Sequence, residues 1–232
     1  MAKNKLQHYL GNESLKAAGV SIEFTLDQAI EYGKCSKDPI YFIENYVNVV
    51  SLDDGAVLFK LYPYQKRIIL AIHNNRKIVA KLFRQAGKSS VVAAYIAWYS
   101  LFNDFKRTAI LANKAAIARE IFSRVQFMVE NLPFWLQQGV LEWNKTSFAL
   151  ENGSTCFCAA SSPSSIRGKS INFLMCVAGE TKTTIRNKVT GEIREIAIKD
   201  IVGIEGINTI YANSSNNSVI NNDSEQLTFL VQ

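Results

Sequence analysis

Leu82-Phe83-Arg84-Gln85-Ala86-Gly87-Lys88-Ser89-Ser90 decides how this chain is read. Before it stands Lys77 to Phe83, a short apolar run of strand length, and after it Ser89 to Phe102, an apolar stretch of helix length. A glycine between strand and helix lets the backbone turn tightly, and the N–H groups at the head of the helix hold a β-phosphate. A lysine then reaches the β- and γ-phosphates, and a hydroxyl coordinates Mg2+. The stretch therefore predicts a phosphate-binding (Walker A) loop in which Arg84, Gln85, Ala86, Gly87, Lys88, Ser89 and Ser90 hold a nucleotide and Ser89 the metal. Leu82 stands where the usual eight-residue pattern has its first glycine, so the context of strand and helix carries the assignment. Without that context a bare Gly-Lys-Ser is a solvated turn.

Two neighbouring features extend the loop. Arg84 puts a guanidinium where it can act in cis as an arginine finger on the transferred phosphoryl group, although a surface salt bridge explains an arginine there equally well. Upstream, Leu61-Tyr62-Pro63-Tyr64-Gln65 offers aromatic rings to stack on a base and an amide to read adenine; core packing is the commoner fate of Tyr62 and Tyr64. Phosphoryl transfer further needs a carboxylate at the tip of a second buried strand. Ile171 to Met175 has the pattern of that strand, but it runs into Cys176-Val177-Ala178-Gly179-Glu180, with no Asp-Glu pair. Glu180 is the nearest substitute.

Outward from the loop, Thr25 with Gln28 predicts a capped helix start, Ile40 to Val50 has helical spacing, Val57 to Leu61 is strand-like, and Tyr64 to Asn74 recovers a helical period. Beyond it, Thr108 to Ala112 predicts a strand and Lys114 to Asn131 a helix; Gly139 to Asn144, Ser147 to Leu150 and Thr155 to Ala160 predict short strands. Strands alternating with helices imply an α/β fold with a mostly parallel sheet covered by helices on both faces.

The 232 residues carry a net charge of +6, unevenly spread. Residues 1–175 hold 21 Lys+Arg against 13 Asp+Glu, a net of +8, and residues 176–232 hold 5 against 7, a net of −2. All three tryptophans, all four prolines and 23 of the 25 aromatics fall in the first part. So sharp a break implies two unrelated modules, divided as a helical preface (1–60), a partial nucleotide-binding domain (61–175) and a β-rich segment (176–232). In the last, Thr181 to Arg186 and Glu192 to Ile198 predict a hairpin, Asn213 to Asp223 a polar loop, and Gln226 to Gln232 a strand that stops without a cap or turn. No apolar run approaches the ~18 residues of a membrane span. The N-terminus lacks a secretory apolar block, and four cysteines without a CxxC unit and two histidines do not compose a zinc or disulfide framework.

Taken in order, Tyr62-Pro63-Tyr64-Gln65, Phe83 to Ser90, Ile110-Leu111-Ala112-Asn113-Lys114, Leu132 to Lys145 and Ala160 to Ser170 resemble the large terminase subunits of tailed phages, over about residues 20–175. The Arg-Gln-x-Gly-Lys form of the loop is similar to the myovirus-type branch. The resemblance implies a P-loop ATPase that uses ATP with Mg2+ to pump double-stranded DNA into the capsid. It also implies action in the host cytoplasm as an oligomer on the portal, with portal and small terminase subunit as partners and no membrane. Residue by residue, it implies that Gln65 contacts adenine, Tyr64 lies beside it, Arg84 and Lys88 act on the phosphates and Ser89 on the metal; Arg167-Gly168 matches an element near the nucleotide or DNA path.

The family's acidic pair belongs directly after Met175. Cys176 to Thr183 instead resembles the start of an intein, with a nucleophilic thiol at the junction, Gly179 and Thr181 behind it, and a hairpin leading into Lys199-Asp200-Ile201. That implies a Hint-type fragment, splice-junction residues Met175 and Cys176, and a catalytic role for Cys176, beside the catalytic roles of Arg84 and Lys88 that the terminase resemblance implies. Splicing also needs a histidine, and His8 and His73 both lie upstream. The expectation is therefore the N-terminal half of a split intein, completed by a partner chain carrying the rest of the intein, the acidic pair and a nuclease domain; a truncated gene would read the same. A buried cysteine is otherwise only a small apolar side chain. Two further readings stand beside this one. The first is a regulatory or helicase-like nucleotide binder with Glu180 as its acid, and the second makes residues 176–232 a partner-binding appendage without chemistry.

Overall fold

A computed structural model describes residues 7–51, 53–82, 86–162 and 165–177, side chains of Lys81 and Val177 excepted, and the backbone of three later strands at 182–186, 193–197 and 208–212. Helix α1 (Leu26–Lys37) opens on the capping box expected from Thr25 and Gln28: Thr25 Oγ1 accepts from the Gln28 N–H at 3.2 Å, and Gln28 Oε1 accepts from the Thr25 N–H at 3.1 Å. Asp38 then starts α2 (Pro39–Tyr46), its carboxylate accepting from the N–H groups of Ile40 and Tyr41. The helix expected over Ile40 to Val50 is too long. It stops at Tyr46, because the β-branched Val47, Val49 and Val50 favour extended backbone, and Asn48–Ser51 forms β1 paired antiparallel with β2 (Gly55–Leu58).

Next come α3 (Pro63–Asn74), β3 (Ile78–Leu82), α4 (Lys88–Phe102), β4 (Arg107–Ala112) and α5 (Ala115–Glu130), in the alternation the sequence predicts. Four strands follow: β5 (Val140–Trp143), β6 (Ser147–Leu150), β7 (Thr155–Ala160) and β8 (Phe173–Val177). The main sheet has the order β5-β6-β7-β4-β8. β7, β4 and β8 are parallel, but β5, β6 and β7 form an antiparallel meander, so the sheet is mixed rather than mostly parallel. The links 144–146 and 151–154 are too short for the crossover that parallel neighbours need.

Beyond β8, β9 (Lys182–Arg186) and β10 (Ile193–Ala197) form the expected antiparallel hairpin. β11 (Asn208–Ala212), which no sequence pattern announced, lies parallel to β3, with Asn208 opposite Ile78 and Ala212 opposite Leu82. The strand expected at 226–232 lies outside the described residues.

Period-two alternation gives β3 and the strands of the main sheet two unlike faces. Ile78, Ala80, Leu82, Ile110, Ala112, Cys156, Cys158, Phe173 and Met175 face the helices, and the buried helical side chains described, Pro39, Gln65 and Ser100 apart, belong to that core. Val79, Ala109, Leu111, Leu174 and Cys176 face the other way, against Phe157, Ala159, Ile166 and Ile171. Helices on both faces were expected; among the described residues the second face has none, because the β7-to-β8 crossover passes as a loop that supplies Ile166 and Ile171. α4 is buried from Val91 to Trp98, as a helix apolar all round must be, and Trp98 Nε1 donates to the Cys35 carbonyl at 2.8 Å, which ties α1 into the same core.

Candidate functional site

The candidate site is the passage from β3 to α4. Gly87 stands at the head of α4 with φ 68° and ψ 15°, in the left-handed region, where glycine alone pays no Cβ penalty. A Cβ built there comes 2.7 Å from Gln65 Nε2. α4 carries no side-chain cap and no acidic residue in its first turn, so the positive end of the helix dipole is kept for an anion. Lys88, Ser89 and Ser90 form that first turn and are half-buried. Phe83, Arg84 and Gln85 lie outside the described residues.

Behind the loop stands the head of α3. Gln65 is buried, and its amide spans the two elements: Oε1 accepts from the Tyr62 N–H at 3.0 Å, and Nε2 donates to the Ala86 carbonyl at 3.2 Å. The Tyr64 hydroxyl donates to the same Ala86 carbonyl at 3.1 Å. Burial, and then the neighbouring Tyr62, push the Tyr64 phenol up from its ordinary pKa, while a hydrogen bond with Gln65 opposes them. The Tyr62 and Tyr64 rings stack with centroids 5.8 Å apart and planes 6° from parallel, and Tyr62 is exposed. The structure thus brings Tyr64, Gln65, Ala86 and Gly87 together.

Arg124 of α5 was missed from sequence. Its Nη1 donates to Ser90 Oγ at 2.9 Å and its Nη2 pairs with Glu120 Oε1 at 2.9 Å. Four residues after Glu120 on a helix it reads as an ordinary surface ion pair, and nothing in the chain pattern points it at Ser90. The Ser90 hydroxyl is thus engaged by Arg124.

The parallel strands end side by side, Ala112 opposite Ala160 and Val177. Asn113 and Ser161 follow the first two tips, so neither supplies a carboxylate. Among the described residues no group of three His, Cys, Asp or Glu is placed to hold a metal ion. The donor set around Gly87 and the head of α4 fits a phosphate, and the Ser89 hydroxyl in that first turn is a group that could hold Mg2+; Glu180 lies outside the described residues. Arg167 is exposed beside Gly168, a left-handed turn at φ 76°, and the Lys169 ammonium sits 4.1 Å from the centroid of the Phe157 ring.

Met175 and Cys176 fall inside β8, paired with Ile110 and Leu111 of β4. Met175 is fully buried on the helical face and Cys176 is buried on the other, where desolvation pushes its thiol up to about 11. No described helix is long and apolar enough to cross a membrane.

Residues 83–176 match the family model of the terminase large subunit, T4likevirus-type, N-terminal. Among solved structures, the chain is similar to the large terminase ATPase domain of Thermus phage P74-26, with 22% sequence identity, a TM-score of 0.41, and coverage of 51% of this chain and 53% of that one. The chain therefore spans about half the length of that domain.

Proposed function

We propose that residues 61–175, with the preface 1–60, are part of the ATPase domain of a terminase large subunit, and that residues 176–232 are an N-terminal intein fragment. The observation that carries the first half is the family match over residues 83–176 laid on a strand, a left-handed glycine and an uncapped helix head. On this reading Gly87 and the head of α4 receive the ATP phosphates and Lys88 neutralises them. Ser89 holds Mg2+, which supplies charge stabilisation as the γ-phosphoryl group leaves, and Arg84 adds a guanidinium to the same end. The carboxylate that completes the metal shell comes from polypeptide joined after Met175. The work done is translocation of double-stranded DNA into a procapsid, as an oligomer on the portal with a small terminase subunit, in the host cytoplasm; the +8 charge of residues 1–175 suits transient contact with a phosphate backbone.

The intein reading is supported by the change of composition after Met175, by the family match stopping at Cys176, and by the β9–β10 hairpin. The Cys176 thiolate attacks the Met175 carbonyl carbon, a C–S bond forms as the C–N bond breaks, and the released amine takes a proton. A second reading, a nucleotide-binding regulatory module with a β-rich partner-binding appendage, draws on the pairing of β11 with β3.

Co-expression with the downstream open reading frame separates the two. Splicing gives a ligated product lacking residues 176–232, lost in Cys176→Ala; ligation that survives Cys176→Ala rejects the intein. In the ligated product Lys88→Ala should lower ATP turnover by roughly 100-fold or more, and robust turnover by the unligated chain would contradict the need for a downstream acid.

A further inference from the structure

We infer that Tyr64 and Gln65 are positioning residues that hold the phosphate loop through the Ala86 carbonyl. The ligand rests on the nucleotide-binding reading above; the mechanism rests on the loop's own geometry.

A primary amide offers a carbonyl acceptor and two N–H donors, and both ends of the Gln65 amide are engaged by the chain itself. Its oxygen accepts from the Tyr62 N–H at the head of α3, and its nitrogen donates to the Ala86 carbonyl. At 3% exposure the side chain has little room to swing out without leaving these groups unpaired in the interior.

The Ala86 carbonyl receives two donors, from Tyr64 and from Gln65, which fills both of its lone pairs. In a trans peptide the C=O and the following N–H point to opposite sides. The described peptide bonds include no cis bond, so fixing the Ala86 carbonyl toward α3 fixes the Gly87 N–H away from α3. A rotated 86–87 peptide would strand a buried carbonyl and aim a lone pair where a phosphate oxygen binds. Gly87 is what lets the brace come this close, since a Cβ there meets Gln65 Nε2. The stacked Tyr62 and Tyr64 rings leave the brace a flat aromatic neighbour, which accepts the π-face of any base.

The test uses the full chain, Mg2+, and fluorescent ATP and GTP analogues, with inorganic triphosphate as competitor. Two variants separate brace from reader. Tyr64→Phe keeps the ring stack and removes one donor; Gln65→Glu keeps an oxygen for the Tyr62 N–H and removes the donors to Ala86. Each should weaken ATP, GTP and triphosphate by the same factor, roughly ten-fold, and should speed amide hydrogen exchange at residues 86–88. A loss confined to ATP makes Gln65 a base reader and overturns the inference. So does unchanged exchange at residues 86–88 in both variants. If the wild-type chain binds neither analogue nor triphosphate, the nucleotide reading fails, and the exchange measurement alone then decides the brace.

Discussion

β3 and β8 are both short, apolar and buried on two faces, but their ends are built for different ends of the chemistry. After Leu82 the chain leaves β3 and by Gly87 has entered a left-handed conformation, held from behind by Tyr64 and Gln65. β8 runs through Met175 and Cys176 without interruption, each residue paired across to β4. The first place has a left-handed glycine and an uncapped helix head, the groups that the proposed nucleotide reading needs. At the second, Met175 and Cys176 are occupied in holding a sheet together. On the proposed intein reading, a thiolate attack on the Met175 carbonyl would compete with the β4–β8 ladder, and splicing would need the end of β8 to come away from β4.

The largest effect that sharpens this contrast is on thiol reactivity. With Cys176 pushed up to about 11 from an ordinary 9, its thiolate fraction at pH 8 is lower by roughly 100-fold. Iodoacetamide should modify Cys176 at least that much more slowly than an unstructured cysteine peptide, and mild urea should release it. Fast modification in the native chain would mean that β8 is not held. The same shift has a definite sign in pH: between about 9 and 11 the unfolded chain gives up the proton first, so the folded sheet loses stability as pH rises through that window.

Next in size is Gly87→Ala. A non-glycine residue at φ 68° costs about 1–2 kcal/mol, and the new methyl also displaces a buried amide rather than a free side-chain tip. The urea midpoint should fall accordingly, and nucleotide affinity with it. The matched substitution Cys176→Ala trades one small buried side chain for another and should leave the midpoint much closer to wild type. Equal losses at the two sites would erase the distinction between them.

Local chemistry was the legible part. Thr25 and Gln28 announce a helix start wherever they fall in a fold, and a glycine between a strand run and an apolar helix run announces the turn into α4. Long-range pairing was not. β5, β6 and β7 carry strand patterns that fit parallel and antiparallel neighbours equally, and only the short links decide between them. Asn208 to Ala212 has no pattern that marks it as a partner for β3. Gln65 was legible as a residue near the loop, but its partners were not, because the loop carbonyl it bonds is 21 residues away.

The smallest effect concerns Arg124, the tie between α5 and the head of α4. Its side chain is 43% exposed and that of Glu120 is 65% exposed, so the ion pair between them is worth little in water. Arg124→Ala should shift stability by no more than about 0.5 kcal/mol. What distinguishes it from any surface arginine is Ser90, one residue beyond the proposed metal hydroxyl of Ser89. In a double-mutant cycle on nucleotide affinity, Arg124→Ala and Ser90→Ala should couple, whereas Arg124→Ala and Glu120→Ala should add independently. Coupling to Glu120 alone would return Arg124 to the helix surface and leave the head of α4 held by the α3 brace and its own backbone.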